Sequence, residues 1–269
     1  MSAEPVPVAA PPAGPPERPS AAHPVRRAAG RRTSAVRLPR NSRGRPYDRG
    51  VRSVPGIREE RYTSLAEKAY AEIRDRLIML DIRPNEPLDD DALADELEMG
   101  KTPVREAIKR LEGDRLIVTY PRRGTFATGV DITDLAHISE VRTLLEPLAA
   151  RRAAERATPA EQQELLELAD RLETLDLATT SNHDLMQYDA QVHRAIYRVA
   201  GNPHLEDTLV RHHNLATRIF CLFLERLPEV DAHVGEHVAL LRSIASGDAA
   251  DAAVRAAEHV QGFEVAVRS

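Results

Sequence analysis

Two groups of side chains in this 269-residue sequence have the types and spacing to do chemistry. The first is Asp189, His193, His237 and His259. Carboxylate and imidazole are the hard and borderline donors that hold divalent first-row metals. Asp189 and His193 are four residues apart, so one helix can offer both from adjacent turns. The second group is cationic: Lys101, Thr102, Arg105 and Lys109, then Arg122, Arg123 and Gly124. A helix start with a hydroxyl and free N–H groups meets a phosphate, and an Arg fork reaches guanine O6 and N7. Lys101 and Lys109 are phosphate partners, and two Arg at a hairpin tip suit a narrow minor groove.

The elements that must position these groups follow from periodicity. Leu65, Ala69, Ile73, Leu77 and Leu80 recur at spacings of three and four, which predicts a helix over 64–80. A short helix follows over 90–99. Thr102 is expected as N-cap of a third helix, with Pro103 at its first position and Val104, Ile108 and Leu111 buried. Residues 116–120 and 125–128 read as strands around the turn Pro121–Gly124. Three helices and a hairpin make a winged helix-turn-helix over 61–130.

The remainder, 131–269, reads as helices over 132–156, 159–176, 182–200, 203–226, 229–246 and 248–267, an all-helical bundle. Asp189 and His193 fall on the flank of the stripe Leu185, Tyr188, Val192, Ile196 and Val199. His237 lies within the stripe Val234, Val238, Leu241 and Ile244, and His259 in the row of Ala252, Ala256 and Phe263. Spacing leaves alternatives open. A lone half-buried His is ordinarily a hydrogen-bonded core residue, and His233, four before His237, is an alternative partner. His212 and His213 lie on no clear stripe. Arg142 sits in the middle of the stripe Leu135, Ile138, Leu145 and Ala149, where a buried guanidinium needs a partner. That partner is either Glu146, four residues on, or the carboxylate of a small organic acid. Arg218 is a second, weaker candidate for such an acid.

Charge is segregated along the chain. The whole carries −5, but residues 1–60 hold 12 Arg against 5 acidic residues and 11 of the 19 Pro. This segment reads as a disordered basic tail: a solvated extension or an arm that adds non-specific nucleic-acid affinity. Between Lys101 and Arg123 there are 7 basic and 3 acidic residues; between Asp81 and Glu98, 1 basic and 8 acidic. One face of the first folded unit is therefore cationic. A single Cys excludes a disulfide scaffold and fits a reducing cytosol. Residues 1–25 lack the apolar stretch of a secretory signal, and the longest apolar run near the middle, Ile219–Leu224, is far short of a membrane span.

The residues Leu93-Ala94-Asp95-Glu96-Leu97, Thr102-Pro103-Val104-Arg105-Glu106-Ala107-Ile108 and Pro121-Arg122-Arg123-Gly124 resemble the N-terminal domain of GntR-family transcription regulators. The resemblance implies operator contacts from Thr102, Arg105 and the wing around Arg123 and Gly124. Gly100 and Lys101 depart from the family's usual Ser or Thr and Arg; Lys offers a point charge in place of a bidentate fork. Asp189 to His193, Ala200 to Pro203, Glu236-His237, Ile244 to Asp248 and His259 are similar to the FCD domain of the FadR subfamily. That resemblance implies that Asp189, His193, His237 and His259 bind a divalent metal; zinc is expected first because it binds N/O sites tightly, with nickel or manganese as alternatives. It implies open coordination positions for an effector carboxylate, and it points at Arg142 through Val141 to Glu146. The expectation is a cytoplasmic homodimer, most simply a repressor, that binds a palindromic DNA operator under control of a small organic acid, with no membrane and no enzymatic turnover. The rival readings are a metal-dependent hydrolase built on the same Asp and His and a sensor whose His are metal-free core residues.

Overall fold

The computed structural model describes residues 62–223 and 230–268. The basic tail read over 1–60 and the end of the helix read over 203–226 lie outside the described residues. Helix α1 (Leu65–Ile78) begins at Ser64, whose hydroxyl accepts from the Glu67 N–H. It stops at Leu80, whose φ of 63° leaves the helical region. A two-residue strand β1 (Pro87–Leu88) and helix α2 (Asp90–Glu96, capped by the Asp89 carboxylate) follow.

Helix α3 spans Lys101–Gly113 and starts two residues earlier than the sequence suggests. Gly100, not Thr102, occupies the N-cap with extended backbone and no side-chain hydrogen bond. Thr102 and Pro103 fall within the first turn, where N–H groups have no helical partner, so the missing proline donor costs nothing. Strands β2 (Ile117–Tyr120) and β3 (Gly124–Ala127) form the wing. The turn between them is closed by Arg123 N–H donating to Tyr120 O at 3.0 Å, with Arg122 at φ 64° and Gly124 at φ 99°. The sheet order is β1-β3-β2, antiparallel throughout, and β1 has no counterpart in the sequence reading. The core of this unit joins Ile73, Leu77 and Ile78 of α1 to Val104, Ala107, Ile108 and Leu111 of α3, with Leu93, Leu97, Leu116 and Ile117 closing it.

The rest is helical among the described residues: α4 (Asp134–Arg156), α5 (Pro159–Glu173), α6 (Asn182–Val199), α7 (Pro203–Phe223), α8 (Val230–Ala245) and α9 (Ala249–Arg268). Helix α5 starts at a capping box of Thr158 and Glu161 with Pro159 in its first turn, as the Thr-Pro pair suggests. Gly201 ends α6 at φ 64°, a conformation that favours glycine; a Cβ there would lie 3.1 Å from Nε of the exposed Arg156 side chain, which would have to shift. Helix α4 packs against α9 and α7, α5 against α8, and α6 against α7. Alanines 149, 150, 153 and 154 of α4 and 252 and 256 of α9 are buried in one core, which lets neighbouring backbones approach closely. Among the described residues no helix is long and apolar enough to cross a membrane.

Candidate functional site

The cationic surface is built on short, contiguous pieces of chain. Val104, Ala107, Ile108 and Leu111 anchor α3, which turns Lys101, Thr102, Arg105 and Lys109 outward; Arg122, Arg123 and Gly124 are exposed on the wing. Two of these cations are paired with the start of α2. Lys101 Nζ lies 2.7 Å from Asp91 Oδ2, and Arg105 Nε 3.2 Å from Asp90 Oδ2. Both pairs are solvated, so they hold the side chains loosely. The Lys101 hydrogen bond also draws the Asp91 carboxyl below its ordinary range.

The Asp/His group is assembled from three helices. Helix α6 supplies Asp189 and His193, α8 supplies His237 and α9 supplies His259; all four are buried. His193 Nε2 stands 3.2 Å from His259 Nε2 and 3.3 Å from His237 Nε2. Asp189 Oδ1 is 3.4 Å from His237 Nε2 and 3.8 Å from His193 Nε2. One donor atom from each of the four lies within 4.8 Å of the other three. Tetrahedral nitrogen ligands at zinc are separated by about 3.3–3.4 Å, so this donor set fits a single ion.

The protonation states fit as well. Burial, reinforced by the neighbouring imidazoles, holds His237 and His259 well below the ordinary imidazole range, so both are in the neutral ligand form. Burial alone would raise the Asp189 carboxyl. Hydrogen bonds from His213 and His233 outweigh it and keep Asp189 ionised.

A second layer of residues sets which imidazole nitrogen faces inward. His193 Nδ1 lies 3.2 Å from Glu146 Oε2 and 3.0 Å from the Tyr197 hydroxyl. His259 Nδ1 lies 2.8 Å from Glu236 Oε2. A proton on Nδ1, held by a carboxylate, leaves the Nε2 lone pair for the centre. Asp189 is gripped on both oxygens: His233 Nε2 at 3.3 Å from Oδ1 and His213 Nε2 at 3.3 Å from Oδ2.

Two expectations for the arginines change. Arg142 takes the internal alternative: its Nε donates to Glu146 Oε1 at 2.6 Å, with both side chains buried. Burial opposes the charge on each, but their mutual attraction prevails, with Arg142 raised and Glu146 well below the usual carboxylate range. Arg142 therefore acts on the centre through Glu146 and His193. Arg218, the second candidate for an organic acid, is engaged within the chain. Its Nε donates to Leu77 O and its Nη atoms to Thr128, so all three nitrogens are spent on the DNA-binding unit.

Sequence reading missed His213, which is buried against Asp189 with its ring 4.3 Å from that of His193. The signal was present: Leu209, His213, Ala216 and Phe220 recur at four, three and four, and all are buried. His212 instead bonds the Thr208 carbonyl of its own helix.

Residues 65–127 match the family described as "Bacterial regulatory proteins, gntR family", and residues 137–262 match the "FCD domain". The chain is 31% identical over 138 residues to the Nta operon transcriptional regulator of Aminobacter aminovorans, covering 51% of this chain and 63% of that protein, less than two thirds of its length. It is 22% identical over 205 residues to the HTH-type transcriptional repressor RspR of Escherichia coli, covering 75% of this chain and 88% of that protein. The solved structure of E. coli McbR/YncC superposes with a TM-score of 0.63 at 24% identity, over 77% of this chain and 98% of that one, which shows a shared fold. The two matched segments, with the winged unit and helical bundle that they occupy, place the chain in the GntR family, with an FCD domain as its C-terminal part.

Proposed function

We propose that this chain is a DNA-binding transcription regulator whose winged unit, residues 61–130, reads an operator while its helical domain, residues 131–269, senses a small organic acid at a divalent metal. It acts as a cytoplasmic homodimer and represses. Family membership supports the DNA-binding part, and the exposure of Lys101, Thr102, Arg105, Lys109, Arg122, Arg123 and Gly124 supports their contact with the duplex. That its relative RspR is a transcriptional repressor supports the polarity.

The observation that carries the sensing part is the convergence of Asp189, His193, His237 and His259, all buried and with separations that suit one ion. Zinc is the first expectation, nickel and manganese the alternatives. The ion supplies a Lewis-acidic point for the carboxylate of the effector. The chain's own residues do the rest: Glu146 and Glu236 orient His193 and His259, and Arg142 holds Glu146.

Metal analysis of full-length protein, purified without chelator, tests this reading. The expected result is about one divalent ion per chain, lost in His237→Ala together with the stabilisation that the ion provides, about 2.7 kcal/mol at a hundredfold excess over Kd. Protein that arrives without metal and takes up none of Zn²⁺, Ni²⁺ and Mn²⁺ overturns it.

A further inference from the structure

Helix α7 touches two places at once. His213 bonds Asp189 of the metal centre. Five residues on, Arg218 points to another side of the helix, about 7.5 Å further along the axis. It is 1% exposed, and among the described residues no carboxylate pairs with it. Nε donates to Leu77 O at 2.9 Å, Nη1 to Thr128 Oγ1 at 2.7 Å and Nη2 to Thr128 O at 2.9 Å.

Both acceptors belong to the frame of the DNA-binding unit. Leu77 O is one of the last carbonyls of α1, which have no partner within the helix. Its neighbours Asp75 O and Arg76 O are taken by the Met79 and Ile82 N–H groups, so Arg218 takes the next carbonyl in the row and places a cation at the negative end of α1. Helix α1 is the main support of the recognition helix α3. Thr128 directly follows the wing: its N–H donates to Leu116 O, and its hydroxyl reaches the carbonyls of Arg115 and Leu116. One guanidinium therefore ties α7 to α1 and to the wing.

The contact around it mixes apolar side chains, Leu215 and Met79, with polar groups that are incompletely satisfied. Arg194 Nη2 lies 3.2 Å from Asp75 Oδ1, and Arg211 Nε 3.6 Å from Asp114 Oδ1. Asn214, one turn before Arg218 on the same face, is buried with neither side-chain atom hydrogen-bonded. Contacts of this kind between domains come apart more readily than a dry apolar core. We propose that Arg218 is the positioning residue that latches the DNA-binding unit to α7, so that a shift of α7 at Asp189 is delivered to the recognition helix. The delivery arm rests on the metal reading above; the latch itself does not.

Hydrogen exchange on full-length wild type, Arg218→Met, Arg218→Lys and Thr128→Val, each with and without Zn²⁺, separates the two. In wild type, Zn²⁺ slows exchange in α6, α8 and α9 and also in the last turn of α1. In Arg218→Met the last turn of α1 exchanges about tenfold faster and ignores Zn²⁺, while α6, α8 and α9 still respond. Thr128→Val and Arg218→Lys move the same way by less, and they decide the matter if Arg218→Met does not fold. Exchange in α1 that matches wild type in the variants, with and without Zn²⁺, overturns the latch. Wild-type α6, α8 and α9 that ignore Zn²⁺ defeat the metal reading and the delivery arm together, and leave the latch to be judged on exchange without metal.

Discussion

In the DNA-binding unit the groups proposed to touch DNA lie between Lys101 and Gly124 and face solvent, and two of them, Lys101 and Arg105, pair loosely with Asp91 and Asp90. In the helical domain the groups of the Asp/His cluster come from α4, α6, α7, α8 and α9, and Arg142, Glu146, Asp189, His193, His213, His237 and His259 are all buried. Exposed charges keep most of their hydration, so their pairing is worth little and each can be changed without unfolding the unit. Buried charges have lost theirs and depend on one another. The contrast teaches that the first surface is suited to meeting an outside partner, whereas the second is a single network that must be complete to be stable.

The largest test of that contrast is Glu146→Leu. It removes the carboxylate that holds the buried charge of Arg142 and orients His193. The expected loss is about 3–5 kcal/mol in chemical denaturation, with much of it recovered in Arg142→Met/Glu146→Leu. A loss no greater than that of an exposed pair would erase the distinction between the two regions.

Arg105→Ala comes next. On a duplex selected by the wild-type protein from a random pool it should cost about 1–3 kcal/mol, while Lys109→Ala weakens selected and random duplexes alike. Equal losses on both duplexes for Arg105→Ala would reduce it to a phosphate contact.

The smallest effect is the response of metal-free protein to mild acid. His237 and His259 are held well below 6.5 by burial and by neighbouring imidazoles, so the folded chain binds fewer protons than the unfolded one. Stability is then complete above about pH 6.5 and falls as pH drops below it. Asp189 and Glu146, also depressed, extend the loss at lower pH. His233 acts oppositely: hydrogen bonds to Asp189 and Glu236 outweigh its burial and raise it to about 9, so its contribution is lost as pH rises toward that value. Thermal unfolding followed from about pH 7.5 to 5.5 should show the helical domain weakening. A flat profile would show that the cluster is hydrated and not a closed network.

The sequence by itself determined which faces the helices bury and, for α5, where the helix begins, because those are local properties. Thr158-Pro159 makes a capping box, and Val104, Ile108 and Leu111 mark the inner face of α3. It also set the Asp189–His193 pair on one helix, since a spacing of four needs no tertiary information. Only the tertiary structure decided which residues answer them. His237 and His259 reach His193 across gaps of 44 and 66 residues. Arg142 bonds Glu146, and Arg218, read from its helix alone as a ligand for an acid, spends every donor on Leu77 and Thr128, 141 and 90 residues away. Periodicity states that a side chain is buried; what it is buried against depends on how helices distant in sequence pack, and a buried cation takes whatever acceptors that packing presents.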